Sequence, residues 1–293
     1  MESKKLLISG ASGNVGYEII RGLHEIESPH TIIAGYYKLE KAKQALIEFS
    51  NLEYRKLDFS EKATFAKALQ GIDLVFLLRP PNLADVSKYF RPFMEAMKAA
   101  EVKKIVFLSV QGAENNKAIP HHKIEQLILE HSLDYAFLRP AYFMQNLTTT
   151  LVHEIKTEGK IFIPSGKLKF NWVDVRDIGL TGAHIISDFD HFKNKTFEIT
   201  GSEFEDFTTV ADYLSKILKK PIRYEIPNLM KFFRHKCRLV ISKPMIFVMI
   251  MLHYLPRLKK NQERLTNTVK DITGKAPNTL KYILKEINTG SCK

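Results

Sequence analysis

The sequence predicts an α/β protein: a doubly wound parallel sheet with a smaller, mostly helical C-terminal subdomain. Three observations carry that expectation. Short β-branched or leucine-rich runs alternate with helix-length segments through the first half of the chain. Several of these runs, LLIS at 6–9, LVFLL at 74–78 and IVFLSV at 105–110, are apolar without alternation, as strands covered by helices on both faces are. A glycine-rich turn joins the first run directly to the first helix.

Taken in order, strands are expected at Lys5–Ser9, Thr31–Gly35, Glu53–Asp58, Ile72–Leu78, Lys104–Val110 and Asp134–Leu138. Helices are expected at Tyr17–Ile26, Glu40–Glu48, Glu61–Leu69 behind an N-cap at Ser60, Asp85–Ala100 and Lys123–His131. Past residue 150 the rhythm loosens into short strands at Lys160–Ile163 and Thr196–Thr200, helices at Val175–Ser187 and Phe207–Lys219, and a Pro-punctuated helical end from Asn228. The expected division is residues 1–150 and an interleaved remainder, 151–293.

A length of 293 residues with 45% hydrophobic and 26% charged side chains excludes a disordered tail or a fibre. Two cysteines, Cys237 and Cys292, cannot build a disulfide framework, and the start MESKKLLISGASG is too short in apolar residues for a secretory signal. A reducing, cytoplasmic setting is expected. The most apolar stretch, Met245–Leu252, is far shorter than the ~20 residues a spanning helix needs. No metal-ligand spacing occurs, so no metal is expected.

The turn after the first strand reads Gly10-Ala11-Ser12-Gly13-Asn14-Val15-Gly16. Glycines are needed where a chain turns tightly, where its amides approach a diphosphate and where a helix packs closely on a sheet; the helix end adds a positive dipole. This turn, GxxGxxG at a first strand-to-helix junction, is expected to bind a dinucleotide in a Rossmann-type fold. The segment LLISGASGNVG, with Asp58-Phe59, VKKIVFLSVQGA at 102–113, HHKIEQLILEHSLDYAFLRPAYFMQNL at 121–147 and FNWVDVRDIG at 170–179, resembles the NmrA-like family of atypical short-chain dehydrogenase/reductases. That family includes NAD(P)H:quinone oxidoreductases and NADP-sensing proteins. The likeness spans residues 5–220, with echoes in ITGSE (199–203) and TGKAPNTL (273–280).

The second strand ends Ala34-Gly35-Tyr36-Tyr37-Lys38, without the acid that would favour NAD(H). The family often has an arginine where Tyr37 aligns, so Lys38 and Lys41 are the nearest groups for a 2′-phosphate; NADP(H) is preferred over NAD(H). Tyr37 either stacks on the adenine or packs. The resemblance implies that Asp58 and Phe59 contact the adenine, and that Leu78, Arg79 and Pro80 contact the cofactor, although an Asp ending a strand is often a turn former. It likewise places Ser109 and Lys123 against the nicotinamide ribose, and Tyr142, Phe143 and Asn146 toward the nicotinamide half.

Short-chain dehydrogenases protonate a carbonyl with the tyrosine of Tyr-x-x-x-Lys, which must sit in hydrogen-bond reach near its working pKa. Four residues before Lys123 stands Ile119, so ketone reduction by that route is disfavoured. Hydride transfer to a quinone-like or azo acceptor, whose reduced form takes protons from water, is not. Lys123, Ser109, His122 and Tyr142 are the catalytic candidates; His121 or His122 would shuttle protons, unless both are only surface polar residues. The alternative is a non-catalytic redox sensor that binds NADP and acts through a protein or nucleic-acid partner.

The net charge of +12 has an address: residues 219–293 hold 17 Lys and Arg against 4 Asp and Glu, and the preceding residues hold 27 against 28. No zinc spacing, zipper or RNA-binding aromatic motif accompanies the basic segment, so nucleic acid is not expected as a partner. Arg234, Lys236, Arg238 and Lys243 precede MIFVMIMLHYLP, and Arg257, Lys259 and Lys260 follow it. That pattern fits either a helix buried in the small subdomain or peripheral contact with an anionic membrane. A homodimer is left open.

Overall fold

The computed structural model describes residues 3–258 and 264–289. Lys259, Lys260 and Cys292 lie outside the described residues. Two compact units are built from interleaved segments: Met1–Pro140, Val175–Ile199 and Thr266–Ala276 form the first, and Ala141–Asp174, Thr200–Leu265 and Pro277–Lys293 the second.

The first unit is a Rossmann-like α/β layer structure. Its strands are β1 (Lys5–Ile8), β2 (Thr31–Tyr36), β3 (Glu53–Lys56), β4 (Leu74–Leu78), β5 (Lys104–Leu108) and β6 (Asp134–Pro140). Its helices up to that point are α1 (Asn14–Glu25), α2 (Leu39–Ala45), α3 (Phe65–Leu69), α4 (Val86–Tyr89), α5 (Arg91–Ala99) and α6 (Pro120–Glu130). The second unit adds β7 (Tyr142–Phe143), β8 (Lys160–Phe162) and β9 (Phe170–Val173) before the chain returns to the first through α7 (Val175–Ser187), α8 (Phe189–Phe192) and β10 (Lys195–Ile199). The rest of the second unit is β11 (Phe204–Glu205), α9 (Phe207–Leu218), β12 (Arg223–Glu225), α10 (Leu229–Arg238), α11 (Lys243–His253) and α13 (Leu280–Thr289), with α12 (Thr268–Thr273) in the first.

Among the described residues, seven strands pair in parallel in the order β10-β6-β5-β4-β1-β2-β3. The order reverses between β1 and β4, and open α/β sheets hold ligands at the carboxyl ends of such a pair. Leu6, Leu7 and Ile8 of β1, and Phe76 and Leu77 of β4, are fully buried because helices cover both faces. In the second unit β11, β9 and β7 form one small sheet, β12 and β8 another, around Trp172, Phe207, Phe232 and Ile246.

Several boundaries differ from the sequence expectation for local reasons. α1 begins at Asn14, three residues early, because Gly13 takes an extended conformation and serves as the N-cap. The expected single helix from Asp85 is two, since Pro92 lacks the amide that would continue the helix. Ser60 does not cap α3; its amide and hydroxyl both donate to Asp58 Oδ1, and a 3₁₀ turn at Lys62–Thr64 leads into the helix. No described helix is long and apolar enough to cross a membrane.

Close packing of α1 on α7 depends on small residues. A Cβ on Gly179 would lie 2.5 Å from the Glu18 backbone, whereas one on Gly182 would lie 2.3 Å from Ile19 Cδ1, the end of a movable side chain. Gly179→Ala is therefore expected to destabilise by about 3 kcal/mol and Gly182→Ala by about 1 kcal/mol, compared by urea unfolding.

Candidate functional site

The carboxyl end of β1 is tied to that of β4 through Ser9, whose Oγ accepts the Leu78 amide at 2.7 Å. Gly10 follows in the left-handed region at φ +63°, and the Gly13 amide donates to its carbonyl at 2.9 Å. A Cβ on Gly16 would lie 2.3 Å from that same carbonyl, so only glycine closes the loop against the helix. Gly13 brings no side-chain cap, and the first turn of α1 carries no acid. Ser12 is half-buried, Gly13 and Asn14 are exposed, and Val15 turns into the core. The opening amides of α1 and its positive dipole end are thus left for an anion, and the loop fits a diphosphate.

At the end of β2, Tyr37 is 67% exposed, so packing does not account for it; Lys38 and Lys41 are also exposed. Asp58 is a turn former, with its carboxylate taken by Ser60. The Phe59 ring is committed to the core, 5.0 Å from Phe90 and 5.1 Å from Phe93 between centroids, so it is not offered to an adenine.

At the ends of β4 and β5 the sequence expectation gains residues and loses one. Leu78 packs under Gly10, a Cβ on which would lie 3.2 Å from Leu78 Cδ2. Arg79 turns back on its own loop, its Nη1 donating to the carbonyls of Pro80, Pro81 and Leu83 at 2.9, 3.2 and 3.1 Å. Its Nε, however, is buried without a partner, as is Gln111 Oε1. Buried orphan groups of this kind are costly unless something satisfies them, and these two follow neighbouring strands at the carboxyl end of the sheet. His121 stacks on Phe107 with centroids 6.2 Å apart. Burial, and then the Arg79 charge, hold its imidazole down to about 3.

Ser109 is buried and donates to Glu125 Oε1 at 2.5 Å. Arg139 grips the same carboxylate from Nε at 3.0 Å and Nη2 at 2.7 Å, and its Nη1 reaches Glu114 at 2.6 Å. Lys123, by contrast, is exposed, in a groove of about 220 Å³ with Ser87, Arg91, His122, Gln126 and Glu130. Two residues along a helix is a turn of about 200°, so Lys123 points away from Glu125 and Ser109. The serine and the lysine are not brought together. His122 Nδ1 lies 3.0 Å from the Ala113 carbonyl. Sequence reasoning passed over Glu125 and Gln111; the latter's one signal was its place two residues beyond Ser109.

Tyr142, Phe143 and Asn146 belong to the second unit. Phe143 pairs with Val173 in β9. Tyr142 packs on Phe170 and Trp172, centroids 4.9 and 4.8 Å away, and its hydroxyl is 2.8 Å from His253 Nε2. His253 Nδ1 is 2.6 Å from the Met249 carbonyl, so it carries the proton and Nε2 accepts from the tyrosine. Burial raises the Tyr142 hydroxyl above its usual range and takes His253 down to about 4.

An unfolded histidine titrates near ~6.5. Between that value and 4 the unfolded chain binds the extra proton, so His253 is without effect above the window and destabilises the fold as pH falls through it. The slope approaches about 1.4 kcal/mol per pH unit. Urea midpoints are expected to drop between neutral and mildly acidic buffer, and His253→Phe to lessen that drop while His121, held down to about 3, sustains the remainder.

The FNWVDVRDIG and C-terminal segments do structural work. Asn171 holds the Gly201 amide at 2.9 Å, and Asp174 accepts from Gln145 at 2.7 Å and Asn278 at 3.0 Å. Among the described residues no group of three or more His, Cys, Asp or Glu is placed to hold a metal.

The sequence profile described as the NmrA-like family matches residues 2–254. The prestalk A differentiation protein A of Dictyostelium discoideum is 31% identical over 290 residues, which cover 98% of this chain and 94% of that protein. The NAD(P)H azoreductase of Xenophilus azovorans is 27% identical over 223 residues, covering 75% of this chain and 76% of that one. Among solved structures, the NADPH-dependent quinone oxidoreductase of Escherichia coli in complex with NADPH shares the fold at a TM-score of 0.82 and 20% identity, over 96% of this chain and 99% of that one.

Proposed function

Because the chain belongs to the NmrA-like family, and its first unit presents an uncapped glycine loop at a sheet's switch point, we propose that it is an NAD(P)H-dependent oxidoreductase that reduces a small, planar, quinone-like acceptor. The observation that carries the reading is the loop itself: Gly10, Gly13 and Gly16 leave the α1 amides open to a diphosphate. The unpartnered Arg79 Nε and Gln111 Oε1 support a polar ligand along the same sheet end. A relative named as an NAD(P)H azoreductase supports the reaction class.

The bound dinucleotide supplies the hydride; the chain supplies position. Lys38, just past the end of β2, and Lys41, in the first turn of α2, are exposed; they meet the 2′-phosphate and set a preference for NADP(H) over NAD(H). His121 is neutral at cellular pH and has no proton to give as an imidazolium. With Ile119 in the tyrosine position as well, the acceptor is one whose reduced form collects protons from water, such as a quinone or an azo compound. Ser109, its proton committed to Glu125, offers an acceptor lone pair; Lys123 is left out of the ribose contact because of its face on α6. Dinucleotide binding falls to the first unit and acceptor selection to the second, and the two-cysteine composition suits a cytoplasmic protein.

Steady-state NADPH oxidation against a panel of quinones and azo dyes, beside calorimetric titration of NADP(H) and NAD(H), tests this. Turnover on a quinone is expected, with NADPH bound about tenfold more weakly by Lys38→Ala. Tight binding without turnover on any acceptor would replace the enzyme with a dinucleotide sensor. Equal affinity for both dinucleotides would remove the two lysines from the argument.

A further inference from the structure

The helix α11 is apolar on both sides. Ile246, Met249 and His253 face the core of the second unit, while Phe247 (58% exposed), Val248, Met251 (43%) and Leu252 (49%) form a continuous outer stripe at helical spacing, extended by Leu255. A helix that is hydrophobic all round is normally covered, and a contiguous open apolar stripe marks an interaction surface. The sequence alternative of a fully buried helix is therefore only half met.

The neighbouring helix supplies charge of one sign. α10 buries Phe232 and Lys236, the latter paired with the buried Glu154, and turns Met230, Lys231, Arg234 and Arg238 outward. Phe233 of α10 lies 6.0 Å from Phe247 of α11 between ring centroids, so the basic face and the apolar stripe adjoin. From Ile226 to Leu258 the chain contains no Asp or Glu and six Lys or Arg.

We propose that α10 and α11 form a peripheral docking face for an anionic membrane surface. Phe247, Val248, Met251 and Leu252 enter the boundary between headgroups and acyl chains, and Lys231, Arg234, Arg238 and Lys243 meet lipid phosphates and carboxylates. The helix lies in the interface plane: its eleven residues reach about 16 Å, half of the ~30 Å hydrocarbon core. A second copy of the chain is the poorer occupant, because a two-fold contact sets each patch against itself and opposes like charges. A phosphodiester backbone would satisfy the cations and leave the apolar stripe wet. The inference does not rest on the reductase reading, since its test reads binding and not turnover.

The full chain is sedimented with phosphatidylcholine vesicles and with vesicles containing phosphatidylserine. Deleting the segment is not a usable control, because Phe232, Ile246 and Met249 belong to the core. The exposed pairs Phe247→Ser with Leu252→Ser, and Lys231→Glu with Arg234→Glu, are used instead, with melting temperature as the check on folding. Retention on anionic vesicles alone is expected, weakened by salt and lowered about tenfold or more by either pair at unchanged melting temperature. Retention by neither vesicle, equal retention by both, or folded variants that sediment like the parent would each overturn the proposal. So would a dimer of the parent chain that Phe247→Ser dissolves.

Discussion

Gly13→Asp is expected to abolish dinucleotide binding in a protein that still folds. Gly13 is the N-cap of α1, extended and exposed, and the nearest atom to a Cβ built there is the Gly10 carbonyl oxygen at 3.2 Å. Aspartate is among the preferred N-cap residues, better than glycine there by about a few tenths of a kcal/mol. Its carboxylate would take the very amides a diphosphate needs and repel the ligand's charge. Like-charge juxtaposition costs several kcal/mol, so affinity is expected to fall about 100-fold or more. Calorimetry with NADPH and a thermal melt read the two effects separately. Undiminished binding would take the glycine loop out of the site. Gly16→Ala is a poorer probe, since its Cβ at 2.3 Å from the Gly10 carbonyl damages the loop and the fold together.

Glu125→Ala is expected to destabilise the first unit by about 3 kcal/mol, because it takes from a buried guanidinium the most buried of its carboxylate partners. Arg139 and Glu125 have side chains only 12% and 3% exposed, and Ser109 gives its hydroxyl proton to the same carboxylate. Of the other two partners of Arg139, Glu198 is 3.8 Å away and Glu114 is 44% exposed, so Glu114→Ala should cost less than about 1 kcal/mol. Urea unfolding of the two variants side by side decides the matter. A small loss at Glu125 would mean that Glu114, Glu198 and water suffice for Arg139.

The parallel strands were legible because burial on both faces leaves an unbroken apolar run, as in Leu74–Leu78. The break between α4 and α5 was not, since Val86, Phe90, Phe93 and Met97 keep a helical period straight through it and only Pro92 betrays it. The glycine loop was legible for a related reason: most of its constraint is local, Gly13 and Gly16 both acting on atoms within six residues, and only the contact of Gly10 with Leu78 is distant. Glu125 was opaque because its partners stand 14 and 16 residues away, and a mid-helix glutamate reads as surface. For Lys123, spacing fixes a position along α6 and says nothing of the helix's rotation about its own axis. Phe59 went the same way: being next to a strand end does not say into which layer a ring turns.

The interleaving of the two units bears on how the protein is made. Val269 of α12 is buried in the first unit, and Leu280, Ile283 and Leu284 of α13 are buried in the second. Ribosomal synthesis proceeds from the other end, so neither core can be completed until nearly the whole chain has emerged. The usual order, in which an N-terminal domain is finished before the next begins, does not match a chain whose first unit takes its last helix from beyond residue 265. All seven strands of the sheet, with β3 and β10 at its edges, precede residue 200, so the layer completed by α12 is the part of the first unit that is finished last.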